Sequence, residues 1–347
     1  MIITLLPKRR EIVANSTQTL LDTVRQSGIN VPHSCKSGRC GSCRARLVKG
    51  SVRALQPQPA GISAEETAQG DILLCQSVAQ SDVDIEVREA RPSDQIEERR
   101  LPVRVAKLLP WSEDLMGVVL QLPAVEPFSF RAGQYLDLIL PSGERRSYSI
   151  ASPPHDARTI ELHIRKVKGG AFTESLFEIL KPGVLLEIEG PKGDFGSAVV
   201  PQAEPLIFVA GGTGYAPIKS LLRSILELQP TGPVRLYWGT RSQRDCYDLE
   251  WLESMQARFA QLTVTIAVSD ESIAQSQFKT GFVHDVIQAE KPDLSNASVV
   301  AAGPPVMLEA LIHSLPTLGF DLRRLTLDSQ GARLSPEATA RLNHALR

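Results

Sequence analysis

The chain carries no excess of either charge. Its 38 lysines and arginines face 39 aspartates and glutamates, for a formal net charge of −1, so nothing in its overall electrostatics points to nucleic acid as a partner. No run approaches the roughly 18 apolar residues that a membrane-spanning helix requires. The first seven residues are briefly apolar, and Lys8, Arg9 and Arg10 follow them, which is the reverse of a secretory signal. Neither H-E-x-x-H nor G-x-S-x-G occurs, which removes two common hydrolase signatures. The six histidines are scattered and read as surface or satisfied core residues. There is no internal repeat and no low-complexity tract. What remains is a soluble, cytoplasmic chain, expected to be monomeric by itself and not to bind a membrane. Its 347 residues are too many for one ordinary core and enough for two or three domains.

Cysteine is also scarce, and its placement is the most informative feature present. Four of the five cysteines stand at Cys35, Cys40, Cys43 and Cys75. The spacing C-x4-C-x2-C, followed by a distant fourth cysteine, is the ligand set of a plant-type [2Fe–2S] cluster. Gly38 and Gly41 lie inside the loop, where residues without Cβ let the backbone curl and aim N–H groups at the sulfurs. Cys75 follows the apolar run Ile72-Leu73-Leu74 and is expected at the end of a strand. The competing reading is a structural zinc site in a non-catalytic binding protein, but zinc sites usually pair CxxC with CxxC. With four cysteines used, only Cys246 is left, so disulfides play no part.

Lys36, Arg39, Arg44, Arg46 and Lys49 fall in a stretch, 36–49, that contains no acid. These cations either offset the roughly −2 charge of an oxidised cluster with four thiolates or steer an acidic acceptor protein. Local compensation is the favoured reading.

The rest of the chain divides by pattern. Residues 1–90 hold short β-rich runs at 1–6, 45–48 and 83–87 around one helical stretch at 19–27. Residues 89–100 include seven charged residues and a proline, and 91–100 reads as a linker. Between 101 and 200, short strands at 103–108, 116–122, 134–140, 147–150, 159–166 and 185–189 alternate with turns, as in a small antiparallel barrel. Between 201 and 330, apolar strands at 205–210, 234–238, 262–268 and 298–301 alternate with helical stretches at 218–228, 249–259 and 307–318. That alternation implies a parallel sheet covered on both faces. Residues 331–347 form a C-terminal tail with a helical stretch from Pro336.

Two groups of motifs mark ligand sites. In the barrel, Arg146-Ser147-Tyr148-Ser149 precedes Gly169-Gly170-Ala171-Phe172-Thr173. A flavin needs a cation for its phosphates, an aromatic face for its ring and a hydroxyl near the nitrogen that takes up hydride. The glycine pair, opening a helix at Thr173, offers backbone N–H groups to a pyrophosphate. In the sheet region a strand runs straight into Gly211-Gly212-Thr213-Gly214, with Pro217 in the first helical turn, and Ala302-Gly303-Pro304-Pro305 repeats the strand, turn, helix order. Open α/β sheets bind ligands where such strand ends meet. After the second strand, Arg241 and Arg244 suit the 2′-phosphate of NADPH, whereas Asp245 would repel it or bind a ribose hydroxyl.

In this order the motifs resemble the ferredoxin–NADP reductase superfamily with an N-terminal plant-type ferredoxin domain, over about residues 1–330. These are the reductase components of bacterial multicomponent oxygenases and the similar reductase of the deoxysugar dehydrase system. The resemblance implies a multidomain α+β and α/β chain: a β-grasp ferredoxin domain, an antiparallel β-barrel flavin domain and a parallel-sheet nucleotide-binding domain. It implies that Arg146 pairs with the FAD pyrophosphate, Tyr148 lies against the isoalloxazine and Ser149 sits near N5, the last two making up the catalytic pair. It further implies that Gly170 to Thr173, beside Gly169, bind FAD phosphate, and that Gly211 to Gly214 with Gly303 and Pro304 frame the nicotinamide coenzyme. The activity implied is electron transfer from NADH, with NADPH as the alternative, through FAD to the [2Fe–2S] cluster and on to a Rieske or diiron oxygenase. A pyridoxamine-phosphate-dependent deoxysugar dehydrase is the alternative acceptor. Two positions depart from the family pattern. Ala302-Gly303 stands where Cys-Gly is frequent, and Asp328-Ser329-Gln330 stands where Asp-Ala-Phe is usual, with 17 further residues after it. The tail is expected either to cover the flavin side of the nicotinamide site or to hang free, as charged termini more often do.

Overall fold

The structure is a computed structural model that describes all residues except 15–16, 30, 32–37, 39–42, 58, 60, 88–95, 125–127, 157, 197–203, 271–277, 330 and 346–347. The chain divides into two compact units, Met1–Gln95 with Gly331–Arg333, and Ile96–Gln330 with Leu334–Arg347.

The first unit is a β-grasp. Strands β1 (Ile2–Leu6), β2 (Arg10–Val13), β3 (Arg44–Lys49), β5 (Asp71–Leu73) and β7 (Val83–Glu86) form one mixed sheet in the order β2-β1-β7-β3-β5. Strands β4 (Val52–Ala54) and β6 (Ser77–Ala79) make a separate antiparallel pair, and two helices, α1 (Leu20–Gln26) and α2 (Ala64–Ala68), complete the unit. Alternation along β1 turns Ile3 and Leu5 inward and leaves Ile2 at 43 % exposure, the period-two pattern of a half-covered sheet. Helix α1 begins where Thr19 Oγ1 accepts the Asp22 amide at 3.1 Å, an N-cap that satisfies one of the helix's unpaired donors. Its Leu20, Leu21 and Val24 join Ile3, Leu5 and Ile85 in one core.

The second unit joins a barrel to a parallel sheet. Strands β8 (Arg99–Pro110), β9 (Leu115–Gln121), β10 (Tyr135–Ile139), β11 (Arg145–Ser149), β12 (Thr159–Arg165) and β13 (Leu185–Lys192) run antiparallel in the order β11-β10-β13-β8-β9-β12, with α3 (Ala171–Ile179) between β12 and β13. A bridge between Ile150 and Leu162 brings the two edges together, so the sheet nearly closes and hides its edges. Arg99 and Arg100, expected in the linker, instead open β8. Arg100 pairs with Glu189 in register, and its guanidinium reaches Glu187 at 2.6 Å, a cross-strand ion pair that linker composition does not reveal.

The parallel sheet orders its strands β17-β16-β15-β14-β18-β19. They are β14 (Leu206–Gly211), β15 (Val234–Thr240), β16 (Leu262–Val268), β17 (Phe278–Thr280), β18 (Ser298–Ala302) and β19 (Leu325–Asp328). Five helices accompany them: α4 (Tyr215–Glu227), α5 (Leu249–Arg258), α6 (Val283–Glu290), α7 (Pro305–Ser314) and α8 (Pro336–Ala345). Phe208 and Ala210 pack with α4 and α5 residues such as Ile218, Leu222 and Leu252, while Ile207 and Val209 pack with Val286, Leu308 and Leu311 of α6 and α7. Cover on both faces is why β14 is one uninterrupted apolar run. Helix α8 does not hang free. Ala338 is fully buried in the core of α6 and α7, with Leu342 and Ala345 against it, and the Ser335 amide donates to Glu309 Oε1 at 2.5 Å. Its small apolar residues recur on one face, and that burial outweighs the usual fraying of a charged terminus. Among the described residues no helix is long and apolar enough to cross a membrane.

Barrel and sheet are joined by a buried polar network. Lys219 of α4 reaches Glu161 Oε1 of β12 at 2.9 Å and Asp248 Oδ2 at 2.8 Å. His163 of β12 hydrogen-bonds Glu161 Oε1 through Nε2 at 2.8 Å and the Tyr247 hydroxyl through Nδ1 at 2.9 Å. Burial alone would raise the Glu161 carboxyl, but the His163 hydrogen bond and the Lys219 charge hold it well below the usual carboxylate range. A carboxylate lowered in this way contributes stability that is complete above its ordinary value of 4.5 and is lost as pH falls through its folded value. Glu161→Gln is therefore expected to destabilise the second unit by about 3 kcal/mol at pH 7, with the deficit shrinking in acid. Urea unfolding at pH 7 and pH 4 followed by tryptophan fluorescence measures this, because Trp111, Trp238 and Trp251 all belong to that unit. A deficit independent of pH would refute it.

Candidate functional site

In the first unit, two of the four cysteines lie among the described residues, and the fold brings them together. Cys43 immediately precedes β3, and Cys75 lies in a 3-10 turn, Leu74–Gln76, directly after β5. The antiparallel pairing of β3 and β5 places Arg44 opposite Leu73, and the Leu74 amide donates to the Cys43 carbonyl at 3.1 Å. Both cysteines are 4 % exposed. Gly38 has φ +76, and a Cβ there would meet Gln76 Cγ at 2.7 Å, so the loop passes Gln76 at a distance that only glycine permits. Two buried cysteines brought close by β3 and β5, with a positive-φ glycine beside Gln76, fit the chemistry of a thiolate-held cluster. Cys35, Cys40 and Gly41 lie outside the described residues, as do Lys36 and Arg39 of the basic stretch. Arg44 is engaged with Glu66 at 2.7 Å, and the Arg46 guanidinium donates to the Gln69 carbonyl, so these two cations serve their own domain.

In the barrel, alternation along β11 puts Arg146 and Tyr148 on one face. Both meet Phe172 of α3: the Arg146 guanidinium carbon lies 5.5 Å from its ring centre, and the Tyr148 ring lies 6.3 Å away. The glycine turn before α3 thus stands next to the Arg-x-Tyr-Ser strand. Arg146 is exposed, whereas Tyr148 and Ser149 are half-buried. Burial pushes the Tyr148 phenol up to about 12, against the opposing charge of Arg146, so it stays a neutral hydrogen-bond donor at neutral pH. Helix α3 starts at Ala171 and not at Thr173. Its N-cap, Gly170, supplies no side-chain cap, leaving first-turn amides for an anion. Thr173 Oγ1 accepts the Val167 amide at 3.0 Å and donates to the Gly170 carbonyl at 3.1 Å. A Cβ on Gly170 would come within 3.1 Å of that hydroxyl, so Thr173 shapes the turn from within. Gly169 has φ +75 with open space around it. The sequence reading gave Phe172 no role; an aromatic directly after a glycine pair at a helix start was its only signal.

The two glycine turns of the sheet, about 90 residues apart, form one structure. A Cβ on Gly214 would lie 2.3 Å from the Ala302 carbonyl oxygen, and one on Gly303 would lie 3.1 Å from Gly211 Cα. Gly211 is shut in from the other side, since its Cβ would meet Met307 Sδ at 2.5 Å and Pro304 Cδ at 2.8 Å. Gly212 has φ +53 and open space, and with Thr213 it forms the half-exposed tip of the turn. Trp238 Nε1 donates to the Gly212 carbonyl at 3.1 Å, and its ring stacks on Tyr215 at 4.2 Å, which fixes the turn from below. Ala302 is fully buried, so the residue that replaces the frequent cysteine presents no side chain to solvent.

At the end of β15, Arg241 and Arg244 are exposed. Asp245 is occupied. Arg165 of the barrel reaches its Oδ1 at 2.7 Å, and the Ser242 amide and hydroxyl donate to its Oδ2 at 3.2 and 3.0 Å. Burial would raise this carboxyl, but Arg165 and Ser242 hold it low. Its partner Arg165 stands 80 positions earlier, so the segment around Asp245 does not reveal the pairing.

Comparison with known proteins accounts for the three regions. Residues 3–80 match a 2Fe-2S iron-sulfur cluster binding domain, residues 102–196 an oxidoreductase FAD-binding domain and residues 208–312 an oxidoreductase NAD-binding domain. The chain is 36 % identical to the CDP-6-deoxy-L-threo-D-glycero-4-hexulose-3-dehydrase reductase of Yersinia pestis, over 86 % of this chain and 88 % of that one. It is 34 % identical to the ferredoxin–NAD(P)(+) reductase component of the naphthalene 1,2-dioxygenase system of Pseudomonas putida, over 93 % and 96 %. Among solved structures, a cytochrome P450 reductase from Amycolatopsis superposes with a TM-score of 0.81 at 30 % identity, covering 95 % of this chain and 98 % of that one.

The contact between the glycine turns yields a test. Gly214→Ala forces a methyl group into a backbone carbonyl, an overpacking expected to destabilise the second unit by about 1–3 kcal/mol. The turn must shift in response, and calorimetric titration with NADH is expected to show affinity reduced by about tenfold or more. Unchanged affinity would show that the turn does not hold the nucleotide.

Proposed function

Because this chain belongs to the flavin-dependent ferredoxin–NAD(P) reductases that carry an N-terminal [2Fe–2S] domain, we propose that it draws electrons from NADH and delivers them to a separate terminal oxygenase of the Rieske or diiron type. The observation that carries the reading is the presence, in one chain, of the buried Cys43 and Cys75 pair, the Arg146-Tyr148-Phe172 cluster beside an uncapped helix start, and two interlocked glycine turns. When bound, FAD converts a two-electron hydride into single electrons and the cluster accepts them one at a time.

The residues divide the work. Cys35, Cys40, Cys43 and Cys75 hold the cluster. Arg146 supplies the cation, and Gly169, Gly170 and Ala171 the turn and first amides, for the FAD pyrophosphate. Tyr148, backed by Phe172, gives the isoalloxazine a flat apolar face, and Ser149 places a hydroxyl near N5. Gly211, Gly212, Thr213 and Gly214 receive the coenzyme phosphates, with Gly303 and Pro304 as the opposing wall. NADH is the main reductant, but NADPH is accepted as well. Arg241 is exposed directly after β15, which supports a contact to a 2′-phosphate, and Asp245 is paired with Arg165.

A second acceptor is favoured by the resemblance to the hexulose-dehydrase reductase, whose sequence is 36 % identical: a pyridoxamine-phosphate-dependent dehydrase. Reconstitution with each terminal protein separates the two.

The visible spectrum tests the core of the reading. The protein is expected to be brown-yellow and to bleach on addition of NADH, and with NADPH at a kcat/KM within about tenfold of that for NADH, a 1.4 kcal/mol difference. A colourless protein would point to zinc instead, and full iron and flavin content without bleaching would overturn the proposal. Ser149→Ala is expected to slow flavin reduction in stopped flow by roughly two- to tenfold, the worth of one hydrogen bond, while FAD stays bound. A rate equal to wild type would remove Ser149 from the reaction.

A further inference from the structure

Gln76 directly follows Cys75 in the same 3-10 turn and is only 7 % exposed. The residues before it, Leu73, Leu74 and Cys75, belong to the apolar core of the first unit. A primary amide taken out of water in such a place costs free energy unless polar partners meet it. One of those partners is sulfur: Gln76 Nε2 donates to Cys75 Sγ at 3.8 Å, within reach of an acceptor as large as sulfur. In a cluster-bound protein that atom is a thiolate, and a charged acceptor strengthens the bond.

The surroundings hold the amide at the sulfur. The Gln76 carbonyl accepts the Leu55 amide at 2.8 Å, which ties the turn to the residue that follows β4. The side-chain stem lies against Gly38, where a Cβ would come within 2.7 Å of Gln76 Cγ and 3.1 Å of its Cδ. Gly38 is itself held, because the Gly61 amide donates to its carbonyl at 2.7 Å. The stem is thus packed between the turn that carries Cys75 and a glycine whose own backbone is pinned.

We propose that Gln76 sets the reduction potential of the [2Fe–2S] site by donating a side-chain hydrogen bond to the Cys75 thiolate. The proposal rests on the reading of the first unit as a cluster domain and adds to it a residue outside the four cysteines. Reduction brings in one electron, supplied from NADH through the flavin, and no proton, so the amide keeps both its hydrogens. The added negative charge is shared with the thiolates. A donor aimed at one of those sulfurs favours the more negative, reduced state over the oxidised one and so raises the potential. Gln76 acts through Cys75 and is a positioning residue, not a ligand.

Redox titration of the full-length holoprotein, followed by the EPR signal of the reduced cluster, tests it. Gln76→Met removes the donor and keeps an unbranched stem against Gly38. Its midpoint is expected to move to more negative potential, by roughly a three- to tenfold change in the equilibrium constant for reduction, the worth of one hydrogen bond, or about 30 to 60 mV for one electron. The flavin is expected to titrate as in the wild type. A second measurement is made on the wild-type chain: with nitrogen-15 placed only in glutamine side-chain amides, pulsed EPR of the dithionite-reduced protein is expected to show a nitrogen-15 coupling to the cluster. A midpoint in Gln76→Met equal to or above that of the wild type, or no such coupling in the wild type, would each overturn the assignment. Wild-type protein that holds zinc, or that gives no cluster signal on reduction, would instead sink the cluster reading beneath it.

Discussion

Lys219 leaves α4 little more than one turn after the glycine turn and ends, 6 % exposed, between Glu161 of the barrel and Asp248 of the sheet domain. An ammonium taken out of water is tolerable only when its partners are close and themselves fully hydrogen-bonded. Here they are. Glu161 Oε1 also meets His163 Nε2, and Asp248 Oδ2 accepts the Tyr215 hydroxyl at 3.0 Å. Burial keeps His163 neutral, with its value pushed below the ordinary one. Nε2 must then carry the proton that faces the carboxylate, leaving Nδ1 to accept from the Tyr247 hydroxyl. A shift of the barrel against the sheet would strand a charge in a water-poor interface. The interface therefore fixes how the Arg146 strand and the Gly214 turn face one another, and both proposed ligand sites depend on it.

Features governed by local chemistry were legible before the structure. The apolar run of β14 ending in glycines announced a doubly covered strand that runs straight into a turn, and the barrel strands showed in their alternation. The cysteine spacing announced the loop, and Gly38 has the positive φ expected of it. What escaped notice was short or non-local. Strands β4, β6 and β17 have three residues each, too few to show a period, and they exist because neighbours supply their ladder partners. The pairing of Asp245 with Arg165, 80 positions away, was invisible from its own segment. The bonds of Thr173 to Val167 and Gly170 depend on a turn that only the fold closes. Helix α8 looked like a loose tail because nothing near Ala338 in sequence reveals the α6 and α7 surface that buries it.

Burial sorts the cations of the second unit into two kinds. Lys192, 6 % exposed, reaches Asp137 at 2.5 Å and Glu189 at 2.7 Å; burial alone would lower its value, but those two partners raise it. Arg165 bridges Asp114 and Asp245 at 2.7 Å each. These charges, like Lys219, are matched by carboxylates within the protein, and they tie strands together. Arg146 and Arg241 are of the other kind. Both are exposed, Arg146 on β11 and Arg241 directly after β15, and Arg146 donates to a backbone carbonyl, that of Arg145 at 2.9 Å. A cation without a matching carboxylate beside an uncapped helix start or a glycine turn repels other cations and attracts anions. Neither arginine has a carboxylate partner among the described residues, so each leaves its charge available to an anionic ligand.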